Sequence, residues 1–243
     1  MIGCTCPVCT SPDPKDKRLR TAALVEWDGF TVAIDTGPDF RQQMLRTGVN
    51  KLDAVLMTHE HNDHIIGLDD VRPFNFMQWT DMQVYAHPRV QQELHQRFGY
   101  IFATENRYPG APMVNLHTID RDSVLEFNGL TVQAIEVMHG QLPVLGFRFG
   151  DTAYLTDMRT ISKAEEAKLK GVRRLVVSAL HHKPHHSHMN LEQALAFVER
   201  VAPEEAYLIH ISHQMGRYAD IQPRLPRGVQ LAFDGLRIPI SNG

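Results

Sequence analysis

The chain has 243 residues, with 25 Lys and Arg against 28 Asp and Glu, 14 His and three Cys. That length suits one domain, or two small ones, with a sizeable core, and 43% hydrophobic with 22% charged residues excludes a disordered or fibrous chain. No apolar run reaches the ~18–20 residues of a membrane span, the start Met1-Ile2-Gly3-Cys4 does not read as a signal peptide, so none is expected, and a net charge of −3 argues against a generic nucleic-acid coat.

In chain order, the first feature is Cys4, Cys6 and Cys9, crowded too closely to form a disulfide scaffold. They read as metal ligands in a reducing compartment, which makes a cytoplasmic location the expectation. Residues 10–20 are polar and contain proline, as in a loop. Thr21–Trp27 and Thr31–Asp35 are β-rich runs around the turn signal Asp28-Gly29. A short helix is predicted over Asp39–Thr47, a buried strand over Ala54–Met57 and a helix over Pro88–Phe98. Thr131–Met138, Val144–Phe149 and Ala153–Leu155 are β-type runs. Ile161–Lys170 reads as a polar-faced helix and Leu175–Leu180 as a buried strand.

Leu191–Val201 is an amphipathic helix, with Leu191, Ala194, Leu195, Val198 and Val201 on one stripe. Asn190 and Gln193 stand at its N-cap and capping-box positions. Ala206–Ile209 and Val229–Phe233 complete the strands. The first half leans to consecutive strands and the second half alternates, so a layered α/β architecture is expected over a single domain, residues 1–243. Its N-terminal loop, residues 1–20, would carry a structural zinc.

The densest chemical signal is Thr58-His59-Glu60-His61-Asn62-Asp63-His64, directly after Ala54–Met57. Alternate residues leaving a strand share a face, so His59 and His61 can aim at one point. Asp63 and His64 reach a second point as the chain turns. Imidazole with carboxylate suits Zn²⁺ or Mn²⁺. Gly67 permits close backbone approach just beyond. At the N-terminus, three thiolates leave one tetrahedral zinc position open, and His213 is the best candidate for it.

HxHxDH after a buried strand resembles the metallo-β-lactamase superfamily. The remaining ligand positions of that family are filled in order by His139 at a strand end, Asp157 after a short strand and His210 at a later strand end. The resemblance implies a four-layer αβ/βα sandwich with a dinuclear metal site. One metal would be held by His59, His61 and His139, the second by Asp63, His64 and His210, with Asp157 and a hydroxide bridging. Asp35 matches an early family Asp and stands open between two roles, a carboxylate that orients a ligand imidazole and a turn residue before Gly37-Pro38.

The Cys-x-Cys-x₂-Cys cluster with His210-Ile211-Ser212-His213 is similar to the branch containing PhnP-like phosphoribosyl 1,2-cyclic phosphate phosphodiesterases. There the resemblance implies a structural zinc on Cys4, Cys6, Cys9 and His213. It also implies a catalytic role for His188, as phosphate binder or general acid, beside Asp157 and Asp63. The other histidines of His181-His182-Lys183-Pro184-His185-His186 have no matching role and are expected at the surface. His87, His95 and His117 are expected to be structural, and Arg18 and Arg20 to face solvent. The family usually opens with a strand and a Gly-rich loop before the cysteines. This chain starts at the cysteines, so the fold is expected to lack that first strand and to be less stable than a longer form.

The reaction implied is hydrolysis of a small cyclic or activated phosphodiester by a metal-activated hydroxide, with two divalent ions, Mn²⁺ or Zn²⁺. Nucleic-acid and membrane partners are not expected, and a homodimer is allowed. The rivals are a tRNA 3′-processing-type nuclease, a glyoxalase-type thioesterase, a β-lactamase and a non-catalytic metal-binding protein. The slightly acidic charge and the lack of a basic arm oppose the first, and the Cys cluster opposes the second. Asp157 and His64 oppose the third, and the complete ligand set opposes the last.

Overall fold

The computed structural model describes residues 1–242. Contacts divide the chain into two compact units. One comprises Arg20–Ser123 and Phe127–Gly129; the other comprises Met1–Leu19, Val124–Glu126 and the chain from Leu130 on. Each has its own sheet, helices and core.

The first of these units holds strands β1 (Ala23–Trp27), β2 (Phe30–Ile34), β3 (Ala54–Leu56), β4 (Met82–Ala86) and β5 (Val114–Thr118), in that spatial order. β1 and β2 form the predicted antiparallel hairpin, with Trp27 opposite Phe30. Asp28 and Gly29 both take positive φ, 41° and 73°, the twist that a two-residue hairpin turn favours. β2 to β5 are parallel. That corrects the reading of this half as consecutive strands, because helices provide the crossovers. Helix α1 (Phe40–Thr47) ends at Gly48 in the left-handed region, and α4 (Pro88–Arg97) starts on the His87 cap.

Between them lie α2 (Asn62–Ile65) and α3 (Arg72–Gln78), which the sequence reading left unassigned. Pro73 punctuates the pattern but stands in the first turn of α3, where its missing N–H costs nothing. The core packs Val55, Met57, Ile65, Leu68, Val84 and Leu94, each fully buried.

The second unit holds a mixed sheet in the order β10 (Thr160–Ile161), β7, β8, β9, β11, β12, β13, with β6 (Val124–Phe127) pairing β7. β7 (Leu130–His139), β8 (Leu142–Phe149) and β9 (Thr152–Leu155) form an antiparallel meander. β11 (Arg174–Ser178), β12 (Glu205–Ile209) and β13 (Val229–Leu231) continue parallel to β9. β7 therefore runs in the same direction as β9, β11 and β12.

The predicted helix over Ile161–Lys170 is shorter. Thr160–Ile161 is a strand, β10, paired with Met138 and Val137, and α5 spans only Lys163–Ala167. Ser162 caps α5 by accepting the Glu165 N–H, so the chain cannot be helical before it. Helix α6 has the predicted bounds, Leu191–Val201, and the predicted reciprocal capping box between Asn190 and Gln193. Its buried face also includes Phe197, which belongs to the same core cluster as Leu175, Val177 and Leu208. Asn190→Ala is expected to lower stability by about 1 kcal/mol, the usual worth of such a cap, read as a shift in the urea midpoint with unchanged slope.

Among the described residues no helix is long and apolar enough to cross a membrane. Two sheets with interspersed helices meet the expectation of a mixed α/β fold.

Candidate metal centres

The site residues share one structural origin. In the first unit, Asp35 follows β2, and His59 to His64 follow β3. In the second, His139 ends β7, Asp157 follows β9, His181 to His188 follow β11, and His210 follows β12. These strands run in one direction within each sheet, so their C-terminal ends gather the side chains along one edge, where open α/β sheets bind ligands. Asp35, Asp157 and His210 hold φ of 66°, 52° and 53°. Such backbone is uncommon for residues with a β-carbon and concentrates at functional positions.

In the first unit the Asp35 carboxylate is fully buried and organises the motif. Its Oδ1 accepts the Thr58 N–H at 2.8 Å, and its Oδ2 accepts the Thr58 hydroxyl at 2.8 Å. The same Oδ2 lies 2.6 Å from His64 Nδ1. A carboxylate can only accept, so His64 Nδ1 carries the proton and Nε2 carries the lone pair. Burial pushes the Asp35 pKa up, opposed by the neighbouring His64 and the Thr58 donors.

Thr58 has spent its one proton on Asp35, so its 3.0 Å contact with His59 Nδ1 is an N–H donated by His59. His59 thereby also presents its lone pair on Nε2, 3.0 Å from His61 Nδ1. Asp63 Oδ2 stands 3.9 Å from His64 Nε2. The loop is held tightly: a β-carbon on Gly67 would lie 2.2 Å from the Gly37 carbonyl oxygen, so the close approach expected there is real. Of the two roles open to Asp35, the geometry is that of the orienting carboxylate.

In the second unit, His139 Nδ1 lies 2.8 Å from the Ser187 carbonyl oxygen. A carbonyl only accepts, so His139 too carries its lone pair on Nε2. Asp157 accepts the Thr156 hydroxyl at 2.6 Å on Oδ1. Its Oδ2 is 3.3 Å from His210 Nε2 and 3.9 Å from His188 Nδ1. The His188 ring contacts those of both His139 and His210, with centroids 4.3 and 4.8 Å away. Ligand atoms of His139, Asp157 and His188 fall within 4.8 Å of one another, so His188 stands at ligand distance from both. Burial, followed by the facing His210 ring, pulls the His188 pKa down to about 3. On the bare chain it is a neutral imidazole at pH 7, not a standing acid.

The cysteine cluster also assembles. Cys4 Sγ and Cys6 Sγ lie 3.5 and 3.4 Å from His213 Nδ1, and all four ligand atoms of Cys4, Cys6, Cys9 and His213 fall within 4.8 Å. A sulfur and an imidazole nitrogen on one tetrahedral zinc stand about 3.5 Å apart at ordinary Zn–S and Zn–N lengths, so the spacing fits that ion. The Cys9 N–H, then His213, lowers the Cys6 thiol to a pKa of about 6, towards the thiolate a metal requires.

Other expectations resolve as follows. His87 caps α4, His95 packs on Phe102, and His117 bonds Gln83 and stacks on Tyr85; all three are structural. His182 and His186 are exposed. His181, however, is buried and His185 half-buried, against the expectation of surface placement. Arg20 faces solvent as expected. Arg18 does not: its Nε donates to the Ala232 carbonyl at 3.0 Å and its guanidinium lies 4.0 Å from Asp16. The sequence reading missed the anchoring roles of Thr58, Thr156 and the Ser187 carbonyl. A carbonyl carries no side-chain signal, so Ser187 had none to find.

A family model described as the beta-lactamase superfamily domain matches residues 31–211. A solved structure described as a new diphosphatase from the PhnP family is 40% identical, with TM-score 0.89, covering 97% of this chain and 89% of that one. The chain belongs to the β-lactamase superfamily, in its PhnP branch. That membership carries the metallo-β-lactamase fold, and the proteins of this superfamily that resemble the chain include metal-dependent hydrolases. An octanoyltransferase of Porphyromonas gingivalis is 40% identical over 97% of this chain, which spans 48% of that protein's length. A ribonuclease Z of a Mycobacterium species is 24% identical over the whole chain and 98% of its own length.

Proposed function

We propose that this PhnP-branch chain is a metal-dependent phosphodiesterase acting on a small cyclic or activated phosphodiester of the phosphoribosyl 1,2-cyclic phosphate kind. The observation that supports it most is tautomeric. His59, His64 and His139 each have Nδ1 committed as a donor to a fixed acceptor, which leaves Nε2 basic. Imidazoles are held in that way to bind a metal.

The ligand set implied by the resemblance is His59, His61, Asp63, His64, His139, Asp157 and His210, for two divalent ions, Mn²⁺ or Zn²⁺. Bound there, such ions supply an activated water and neutralise phosphate oxygens. Within the proposal His188 is a neutral donor to a phosphate oxygen; once the bound anion has raised its basicity, the ring takes up a second proton from solvent and passes that proton to the leaving oxygen, returning to the neutral imidazole. It lies two residues before the N-cap of α6, where a helix terminus favours an anion. Cys4, Cys6, Cys9 and His213 hold a structural zinc that anchors the N-terminal loop to the loop after β12. The three thiols favour a cytoplasmic setting.

A second reading, phosphoanhydride cleavage, is favoured by the relative at 40% identity described as a diphosphatase. Octanoyl transfer is not proposed, because the match to that protein spans 48% of its length. The test is hydrolysis of bis(p-nitrophenyl) phosphate after chelation and reloading with Mn²⁺ or Zn²⁺. Turnover is expected to vanish on chelation and to return with metal. A reloaded enzyme that cleaves only diphosphates would replace the first reading with the second, and turnover indifferent to chelation would exclude both.

A further inference from the structure

His185 differs from the metal-binding imidazoles in one decisive respect. Its Nδ1 receives the Ser187 backbone N–H at 3.3 Å, with the Ser187 hydroxyl at 3.4 Å. A backbone N–H can only donate, so Nδ1 holds the lone pair and the ring proton sits on Nε2. This is the reverse of His59, His64 and His139. A ring fixed in this way offers an N–H rather than a basic nitrogen, and so suits an anionic oxygen better than a cation.

Its position fits that use. The His185 ring centroid is 5.1 Å from that of His188 and 6.0 Å from that of His181, which it meets edge-on. His185 is half-buried, while His181 and His188 behind it are only 9% exposed. Nδ1 of His181 is buried and has no hydrogen-bond partner among the described residues. An unpaired polar atom in such a place is costly unless something meets it. Ser187 ties the arrangement together, since its N–H fixes His185 while its carbonyl fixes His139.

We propose that His185, backed by His181, is a substrate-binding residue that donates from Nε2 to a phosphate oxygen beside His188. This rests on the phosphodiesterase reading for its substrate but not for its binding chemistry. Ground-state holding of an anion raises affinity without accelerating the chemical step.

The test uses the zinc-loaded full chain with inorganic phosphate as ligand and bis(p-nitrophenyl) phosphate as substrate. His185→Ala is expected to weaken phosphate binding about tenfold by calorimetry, as one charge-assisted hydrogen bond is worth. KM should rise by a similar factor, with kcat within about twofold and metal content unchanged. His185→Gln places an amide N–H near the former Nε2 and is expected to restore most of the binding. Loss of metal from His185→Ala, or equal loss in both variants, would overturn the proposal in favour of a ligand or packing role. Unchanged phosphate binding in both would overturn it outright. If no variant turns over substrate and phosphate binding still follows His185, the subsite stands and the phosphodiesterase reading falls.

Discussion

Asp157→Asn is expected to lower metal-dependent turnover about 10³-fold or more, the scale on which reactions lose a preorganised charge at the reacting centre. Asp157 is buried among His139, His188 and His210, and both of its oxygens are engaged. Asn keeps the size of the side chain and tolerates the φ of 52° at this position, so the substitution removes the charge and spares the backbone. Metal content measured alongside turnover separates a lost ligand from a lost fold. Wild-type turnover in this variant would remove Asp157 from the chemistry. A non-catalytic metal-binding protein, by contrast, would show no turnover to lose.

A second large effect is expected one step away from any ligand atom. Asp35 accepts three hydrogen bonds, from Thr58 N–H, the Thr58 hydroxyl and His64. In Asp35→Asn one oxygen becomes an NH₂, which cannot accept. If the amide faces His64, the imidazole must turn its lone pair towards Asn and carry its proton on Nε2, the atom it would offer a metal. If it faces Thr58 instead, the buried Thr58 N–H is left unsatisfied, at about 1–3 kcal/mol. Metal affinity at the histidine and aspartate site is therefore expected to fall about 10- to 100-fold. The fall would be read by competition with a chromogenic chelator, while metal affinity at the cysteine cluster is expected to be unchanged. Equal weakening of both metals would point to general unfolding, and unchanged affinity would reduce Asp35 to a turn residue.

The two predictions differ in how far the sequence could lead to them. Asp157 is legible because a carboxylate after a short apolar strand fills a place in an ordered ligand series. Asp35 is ambiguous in sequence, because Asp before Gly-Pro is also an ordinary turn. Only the 2.6 Å contact to His64, 29 residues away, separates the two roles. The helix over Leu191–Val201 is legible to its ends because its cap and its stripe are both local. The helix over Ile161–Lys170 is overdrawn, because Ile161 is claimed by pairing with Val137, a partner 24 residues earlier.

The sequence by itself determined the candidate ligands and their order along the chain, the grouping of the three cysteines, and most strands and helices, since spacing, periodicity and capping act over a few residues. Tertiary structure alone decided the parallel course of β2 to β5, the half-burial of Arg18, the burial of His181, and the proton positions on His59, His64, His139 and His185. Those depend on which donor or acceptor, or which strand, arrives from a distant part of the chain. A histidine reads the same in sequence whether a carbonyl fixes its Nδ1–H or a backbone N–H fixes its Nδ1 lone pair, and that contact separates His139 from His185.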